Sequence, residues 1–397
     1  MSISDFGRYG FGFCAAFAML VGCGGGSTPL SPSPVGLTAE RTRPSHRYDV
    51  LYSFKGGSGD GDYPFAGLVN VKGTLCGTTY SGGANGDGTV FSITRSGTET
   101  VLYSFKGGSS GDGYFPEAGL LNVNGTLYGT TYGGGKDGDG TVFKITQVGK
   151  ETVLHSFGGS GDGTYPLAGL INANGTLYST TYEGGANDDG TVFAITTSGK
   201  ETVPHNFGAS GDGTLPRAGL LNVKGTLYGT TYERGANPDG TVFKITPSGK
   251  ETVLHKFAGI PDGSGPRAGL INVDGTLYGT TYDGGAYDEG TVFSITTSGK
   301  ETVLHSFGMT GDGEYPYSGL INVEGTLYGT TYEGGANGGG TVFAITTSGK
   351  ETLLHSFTGS GDGEYPNAGL IDISGTLYGT TADGGASGVG TVFALSP

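Results

Sequence analysis

Residues 48–54 read Tyr-Asp-Val-Leu-Tyr-Ser-Phe, and variants of this heptapeptide return six more times along the chain. The final residue is phenylalanine at every occurrence, at positions 54, 105, 157, 207, 257, 307 and 357. A spacing of 50 to 52 residues that persists to the end of the chain indicates tandem structural units rather than unrelated domains.

A single unit predicts four short β-strands. They are strand A at 169–173, strand B at 176–182, strand C at 191–196 and strand D at 201–207, which are rich in β-branched and aromatic residues. The A–B connection is a two-residue turn that ends in glycine, as in Asn174-Gly175, and such pairs suit a type I′ hairpin. Four antiparallel strands per unit are typical of a β-propeller blade.

The two ends of the repeat region distinguish a closed propeller from an open solenoid. The heptapeptide 48–54 is a strand D that precedes every other strand, and residues 390–397 (Gly-Thr-Val-Phe-Ala-Leu-Ser-Pro) are a strand C that no strand D follows. Pairing the first D with the last C would complete a seventh blade and leave no solenoid ends to cap. The sequence therefore predicts an all-β, seven-bladed β-propeller over residues 48–397, with four-stranded blades and closure by the N-terminal strand.

Composition and charge agree with this fold and exclude one class of partner. Glycine accounts for 84 of the 397 residues and tryptophan is absent, which disfavours long helices. The net charge of -15 argues against a nucleic-acid partner, because phosphate binding depends on clustered Lys and Arg. An acidic surface is compatible with an extracellular protein, and we expect a monomer.

The N-terminal residues resemble a bacterial lipoprotein signal. An apolar run at 11–21 is too short to span a bilayer, and it ends in Leu20-Val21-Gly22-Cys23, which resembles a lipobox. The resemblance implies cleavage before Cys23 and a lipid on its thiol that contacts the membrane; an ordinary signal peptide is the alternative. We expect a signal peptide at 1–22, a flexible tether at 23–46, and location in the cell envelope, at the outer membrane or cell surface. Without the lipid the protein would be secreted.

Cysteine usage gives no sign of a disulfide. Of the three cysteines, Cys23 and Cys76 remain after the predicted cleavage, and Cys23 would carry lipid. Cys76 stands where the other repeats have tyrosine, so we interpret it as a packing residue.

The repeat resembles two known families. Its Pro-x-Ala-Gly start, tight turn, Leu-Tyr and Gly-Gly resemble the kelch motif, but phenylalanine at the end of strand D replaces the late kelch tryptophan. The closer resemblance is to the bacterial tandem repeat called GloVer, with its Gly-Thr-Leu-Tyr-Gly-Thr-Thr-Tyr, Gly-Gly and Gly-Thr-Val-Phe core, over nearly all of residues 48–397. That resemblance implies a surface or secreted protein of unassigned biochemical role.

Aspartate in the D–A loops and histidine on strand D recur from blade to blade, and both are residue types that bind metals or act in catalysis. The D–A loops carry one aspartate each: Asp60, Asp112, Asp162, Asp212, Asp262, Asp312 and Asp362. Calcium needs six to eight oxygens at one point, so we interpret these residues as Asx-type turns that hold the crossover between blades. Strand D carries Tyr52, Tyr103, His155, His205, His255, His305 and His355 at one equivalent position. Since equivalent positions on different blades cannot converge, we interpret these side chains as structural.

No catalytic motif is recognisable. The sequence lacks Gly-x-Ser-x-Gly, His-Glu-x-x-His and a P-loop, and its near-identical loops give acid, base and nucleophile no distinct environments. We therefore predict that the protein is not an enzyme and has no metal or cofactor.

Differences between blades predict a ligand-binding face at the channel mouth. The residue between Pro and Ala of Pro-x-Ala-Gly reads Phe65, Glu117, Leu167, Arg217, Arg267, Tyr317 and Asn367. Two positions earlier stand Tyr63, Phe115, Tyr165, Leu215, Tyr315 and Tyr365. Arg234 replaces a glycine after strand B of blade 4, and with Arg217 and Arg267 it would form a cationic sector. Aromatic faces suit sugars and arginine suits carboxylates, although neutral variation on a solvated rim would give the same pattern.

Three functions remain open from the sequence. The favoured one is a surface or secreted binding module whose ligand is a protein or polysaccharide. The alternatives are a carbohydrate-active enzyme with a site at the channel mouth and a mainly structural envelope protein.

Overall fold

The structure is a computed structural model that describes residues 46–233, 238–246 and 248–397. The predicted signal peptide, Cys23 and almost all of the predicted tether lie outside the described residues, as does Arg234. The described strands form seven four-stranded antiparallel sheets, which confirms the predicted β-propeller. In this part of the chain, no helix combines the length and the apolar character that a membrane crossing needs.

Each blade consists of strands A, B, C and D, lettered from the innermost to the outermost. In blades 1 to 4 these are Val69–Val71, Thr74–Thr79, Thr89–Ile93 and Glu99–Ser104; Leu121–Val123, Thr126–Thr131, Thr141–Thr146 and Glu151–Ser156; Ile171–Ala173, Thr176–Thr181, Thr191–Thr196 and Glu201–Asn206; Leu221–Val223, Thr226–Thr231, Thr241–Ile245 and Glu251–Lys256. In blades 5 to 7 they are Ile271–Val273, Thr276–Thr281, Thr291–Thr296 and Glu301–Ser306; Ile321–Val323, Thr326–Thr331, Thr341–Thr346 and Glu351–Ser356; Ile371–Ile373, Thr376–Thr381, Thr391–Ser396 and Arg47–Ser53.

Short strands join the D–A loop to the B–C loop of the same blade. They pair Gly61–Asp62 with Ser81–Gly82, Gly113–Tyr114 with Gly133–Gly134, Gly163–Thr164 with Glu183–Gly184, Gly263–Ser264 with Asp283–Gly284, and Gly313–Glu314 with Glu333–Gly334. Single 3-10 turns lie at Gly57–Gly59 and Gly108–Ser110. These contacts hold the two loops that form one face of the ring.

The N-terminal strand closes the ring as predicted. Arg47–Ser53 pairs antiparallel with Thr391–Ser396, and the register shifts between Val50 and Tyr52. The same irregularity recurs between strands C and D of other blades, so the closing pair reproduces the pairing inside a continuous repeat.

The A–B turns have the backbone conformation that their sequences predict. Both turn residues adopt positive φ in every blade, for example 55° at Asn174 and 88° at Gly175. Positive φ at both central positions is the requirement of a type I′ turn, whose twist matches that of the flanking strands. The prediction of two-residue hairpins is confirmed.

The hydrophobic core is divided among the interfaces between blades. A phenylalanine at the end of strand D meets a strand C phenylalanine of the next blade edge to face, and Phe54 lies 5.1 Å from Phe91 across the interface of blades 7 and 1. Each such pair belongs to one of seven buried clusters. Cys76 lies in the cluster between blades 1 and 2 and is 3% exposed, which confirms that it is a packing residue.

The Thr-Thr pair of strand B joins the blades by hydrogen bonds. The first threonine donates to a backbone carbonyl of the following blade; Thr380 reaches the Ala66 carbonyl at 3.2 Å, and the remaining donors are Thr78, Thr130, Thr180, Thr230, Thr280 and Thr330. The second threonine pairs with a strand C threonine of its own blade, as Thr181 does with Thr191 at 2.8 Å. These bonds satisfy hydroxyls that are buried, as buried polar groups require.

The innermost residues are glycines that approach one another around the axis. A Cβ at Gly269 would lie 3.1 Å from the Gly219 carbonyl oxygen, and one at Gly67 would lie 3.3 Å from that of Gly369. The blades therefore meet backbone to backbone at the centre, and the residues just before these glycines surround the channel mouth.

Candidate functional site

The residue between Pro and Ala of each repeat is half-buried and lies two positions before the innermost glycine. Side chains from different blades interact across this ring. Glu117 of blade 2 is electrostatically coupled to Arg217 of blade 4, and Arg217 is coupled to Tyr317 of blade 6. The structure thus brings together residues that are 100 positions apart in sequence.

A second set of aromatic residues, which the sequence analysis missed, lies beside this ring. It comprises the tyrosine that follows strand B in six blades: Tyr80, Tyr132, Tyr182, Tyr232, Tyr282 and Tyr332. Blade 7 has Ala382 at this position. The repeated Thr-Thr-Tyr was the available signal, but its tyrosine reads equally well as the last residue of a strand.

Stacked pairs link these tyrosines to residues predicted for the binding face. The rings of Tyr132 and Tyr165 are 4.9 Å apart, and Tyr80 stacks on Phe115 at 4.5 Å. The same stacking joins Tyr282 to Tyr315 and Tyr332 to Tyr365.

The residues two positions before the channel-mouth residue of each repeat have strained backbones. Tyr63, Phe115, Tyr165, Leu215, Tyr315 and Tyr365 all have φ between 54° and 56°, where bulky side chains are rare. Blade 5 places Gly265 there, with φ of 59°. Strain of this kind persists only where the surroundings enforce it and is frequent at ligand-binding sites.

Arg217 and Arg267 lie between tyrosine rings. The Arg217 guanidinium is 4.7 Å from the Tyr182 ring centroid and 4.9 Å from that of Tyr232. Arg267 is 3.8 Å from the Tyr282 centroid, and its Nη2 donates to the Tyr232 hydroxyl at 3.0 Å. Such cation–π contacts fix the orientation of the guanidinium planes.

The edges of both guanidinium groups lack an anionic partner within the described ranges. The Nε atoms of Arg217 and Arg267 are buried without a hydrogen-bond acceptor, and no carboxylate of these ranges lies within 4.0 Å of either charge. The Oδ1 atom of Asn367 at the same mouth is also buried and unpartnered. Arg234, the third predicted member of the cationic sector, lies outside the described residues.

Two carboxyl groups near these arginines have raised pKa values. Burial raises the pKa of Glu117 to about 7, against the opposing effect of Arg217. Burial raises the pKa of Asp283 to about 6, and Arg267 opposes it. Glu117 belongs to blade 2 and Asp283 to blade 5, and neither carboxyl is among the groups that shift the pKa of the other.

The pKa of Glu117 predicts a pH-dependent stability. Its folded-state pKa exceeds the unfolded value of 4.5, so its contribution is fully favourable below pH 4.5 and is lost as the pH rises through about 7. We expect Glu117→Gln to gain about 2 kcal/mol relative to wild type between pH 5 and pH 8, since the amide carries no charge. Urea unfolding at both pH values measures this difference. Glu324→Gln, at an exposed A–B turn, is the matched control, and an equal gain there would contradict the assignment.

At the outer edge of the ring, the predicted aspartates and strand D residues meet. His155 Nε2 lies 2.9 Å from Asp162 Oδ2, and the corresponding distance for His255 and Asp262 is 3.0 Å. In blades 7 and 1 the equivalent residues are tyrosines. The hydroxyls of Tyr52 and Tyr103 donate to Asp60 and Asp112, each at 2.7 Å. The histidines do not converge on one another, as predicted, but each has an aspartate partner.

These aspartates also hold the crossover between blades. The Asp162 backbone carbonyl accepts from Gly185 N, and its Oδ1 accepts from Gly163 N at 2.8 Å. The aspartates therefore have the predicted role in the crossover. In an Asx turn the side chain would accept from the amide two residues later, whereas Asp162 accepts from the amide of the next residue.

Comparison with known proteins identifies the repeat. The profile of the Gloeobacter/Verrucomicrobia repeat matches residues 35–237 and 216–397, which together span most of the chain. The protein belongs to the Gloeobacter/Verrucomicrobia repeat family. This is the family that the sequence resembled under the name GloVer. No curated protein matches this repeat protein.

Solved structures share the propeller fold with this Gloeobacter/Verrucomicrobia repeat protein at low identity. The BP39L lectin from Burkholderia pseudomallei has 13% identity and a TM-score of 0.59, covering 87% of this chain and 97% of the lectin. A puromycin hydrolase has 11% identity and a TM-score of 0.50, covering 81% of this chain and 50% of the hydrolase. At such identities the similarity establishes the fold alone.

Proposed function

We propose that this propeller is a binding module of the bacterial cell envelope that takes a carboxylate-bearing polysaccharide at its channel mouth. The observation that carries the proposal is the pair of guanidinium groups, Arg217 and Arg267, held between tyrosine rings with buried, unpartnered Nε atoms. The lipid predicted at Cys23 would attach the module to the envelope.

The chemistry of a carboxylate suits these arginines. A carboxylate accepts two parallel hydrogen bonds from one guanidinium, through Nε and one terminal nitrogen, which would satisfy the Nε atoms of Arg217 and Arg267. Leaving a buried donor unsatisfied costs about 1 to 3 kcal/mol, so ligand binding recovers energy that the free protein lacks.

The surrounding aromatic rings suit a sugar. The guanidinium groups of Arg217 and Arg267 cover faces of the adjacent tyrosine rings, so these rings offer a sugar their edges and their hydroxyls, which pyranose C–H groups and hydroxyls can contact. A lectin with the same fold supports the proposal at the level of architecture.

Binding to uronic-acid polymers tests the proposal. Polygalacturonate and alginate oligosaccharides should bind wild-type protein, and their methyl esters should not, because esterification removes the carboxylate charge. We expect the double variant Arg217→Ala/Arg267→Ala to lose at least about 10-fold in affinity by calorimetry, equivalent to about 1.4 kcal/mol.

The matched control is Arg95→Ala. Arg95 is exposed in a C–D turn, and the C–D turns lie on the face of the ring opposite the channel-mouth loops. Equal binding by the double variant and wild type would contradict the proposed site. Turnover of an oligosaccharide would instead favour a carbohydrate-active enzyme, for which the raised pKa of Glu117 would suit a general acid.

A further inference from the structure

The outer edge of the ring contains mixed clusters of histidine and carboxylate that the proposed binding function does not use. Glu201 begins strand D of blade 3 and faces His155 and Asp162, which come from strand D of blade 2 and the loop after it. One ligand atom from each of the three residues lies within 4.8 Å of the others. The set formed by His255, Asp262 and Glu301 between blades 4 and 5 satisfies the same limit.

The glutamates supply an observation that is independent of this proximity. The Oε1 atoms of Glu201 and Glu301 are buried and have no hydrogen-bond partner. A buried carboxylate oxygen without a donor is costly, and a bound cation is one way to satisfy it. The side chains of His155 and Asp162 remain 20% and 12% exposed, so solvent ions can reach the cluster.

We propose that His155, Asp162 and Glu201, and likewise His255, Asp262 and Glu301, each bind a divalent transition metal ion of the zinc class across a blade interface.

The donor set selects this class of ion. One imidazole nitrogen and two carboxylate oxygens match zinc, which is bound at about 2.0 to 2.2 Å by such ligands and accepts water at a fourth position. Calcium needs six to eight oxygens, and magnesium prefers carboxylate and water oxygens to imidazole. The neutral imidazole and two carboxylates also leave a net negative charge for the ion to balance.

Metal binding requires the three ligand atoms, which lie within 4.8 Å of one another, to adjust to the spacing of a coordinated ion. Tetrahedral ligands about 2.05 Å from zinc are about 3.3 Å apart. His155 Nε2 and Asp162 Oδ2 are 2.9 Å apart, so the aspartate must turn by a few tenths of an ångström and exchange its histidine contact for the metal. The aspartate keeps its other oxygen on Gly163 N.

The chain contains its own control for this proposal. Tyr103, Asp112 and Glu151 occupy the same three positions between blades 1 and 2, and the Oε1 atom of Glu151 is equally buried and unpartnered. A phenol must lose its proton before it can bind zinc, whereas a neutral imidazole is already a ligand. Tyr103, Asp112 and Glu151 should therefore not bind zinc.

Zinc uptake by the full-length chain tests the inference. After dialysis against zinc with a weak competing chelator, elemental analysis should find two zinc ions fewer per chain in Glu201→Gln/Glu301→Gln than in wild type, and Glu151→Gln should match wild type. Zinc should raise the melting temperature of wild type more than that of the double variant, because the ion joins neighbouring blades. Circular dichroism establishes that each variant is folded.

Two results would overturn the inference. One is equal zinc uptake by wild type and the double variant, including the case in which neither binds. The other is calcium uptake with the same dependence on Glu201 and Glu301, which would exclude the zinc class.

Discussion

Deleting residues 48–54 is expected to destabilise the whole propeller by more than about 5 kcal/mol, because the deletion removes strand D of blade 7. Losing the buried Phe54 alone should cost about 3 to 5 kcal/mol, as truncation of a core phenylalanine generally does. The deletion also removes the hydrogen bonds to strand Thr391–Ser396 and exposes that strand as a new edge.

The loss of Tyr48 adds to this effect. Its ring stacks on His355 at 3.8 Å, and its hydroxyl donates to the Asp362 carbonyl at 2.8 Å. Tyr48 thus occupies, in the closing blade, the position that Glu99 and its equivalents hold in the others. Removing it leaves the interface between blades 6 and 7 incomplete as well as the one between blades 7 and 1.

Thermal and urea unfolding of the deletion variant measure the effect. Phe54→Ala should reproduce a large part of the loss, whereas Lys55→Ala, which changes an exposed side chain, should be close to wild type. A synthetic peptide spanning 46–54 should raise the melting temperature of the deletion variant by restoring the missing strand. An unchanged melting temperature in the deletion variant would show that the N-terminal strand does not stabilise the ring.

Gly279→Val is expected to destabilise the protein by about 3 kcal/mol through overpacking of blade 5. A Cβ at this strand B position would lie 2.7 Å from Phe293 Cζ and 2.8 Å from Leu270 Cδ2. Both neighbours belong to the buried cluster between blades 4 and 5, so neither can move without disturbing that interface. Urea unfolding compares the variant with wild type.

Blade 3 provides a natural comparison, because Ser179 occupies the equivalent position. Its hydroxyl donates to the Ala168 and Gly169 carbonyls at 3.1 and 3.0 Å, so a small polar side chain can be accommodated there. Gly279→Ser should therefore cost less than Gly279→Val. Gly59→Ala, where an added Cβ meets no atom within 4 Å, is the neutral control. Equal stability of Gly279→Val and Gly59→Ala would refute the packing argument.

The candidate site was only partly predictable. The sequence placed Arg217 and Arg267 at one mouth, since both stand between Pro and Ala of their repeats. It did not reveal that Tyr232 lies between their guanidinium groups, because that contact joins neighbouring blades. Whether a repeated tyrosine ends a strand or stacks on an arginine depends on packing that a single repeat does not contain.

The clusters proposed to bind zinc were even less predictable from the sequence, because they too depend on contacts between blades. His155 and Asp162 are seven residues apart, and their pairing could have been suspected from the loop length. Glu201 lies in the next repeat, as the first residue of the predicted strand D. Only the stacking of blade 3 on blade 2 brings the three side chains together.

The closure of the ring was determined by the sequence alone. The heptapeptide at 48–54 and the unpaired strand C at the other end specify one missing partner each, and a tandem period makes such an offset readable without coordinates. Backbone turns were equally determined, since glycine and its neighbour respond to local sterics. The contacts of Arg217 with Tyr182 and Tyr232, and of Glu201 with His155, were decided by tertiary structure. The reason is physical: periodicity specifies how each blade hydrogen-bonds within itself, whereas side-chain contacts between blades depend on how closely the blades pack around the axis.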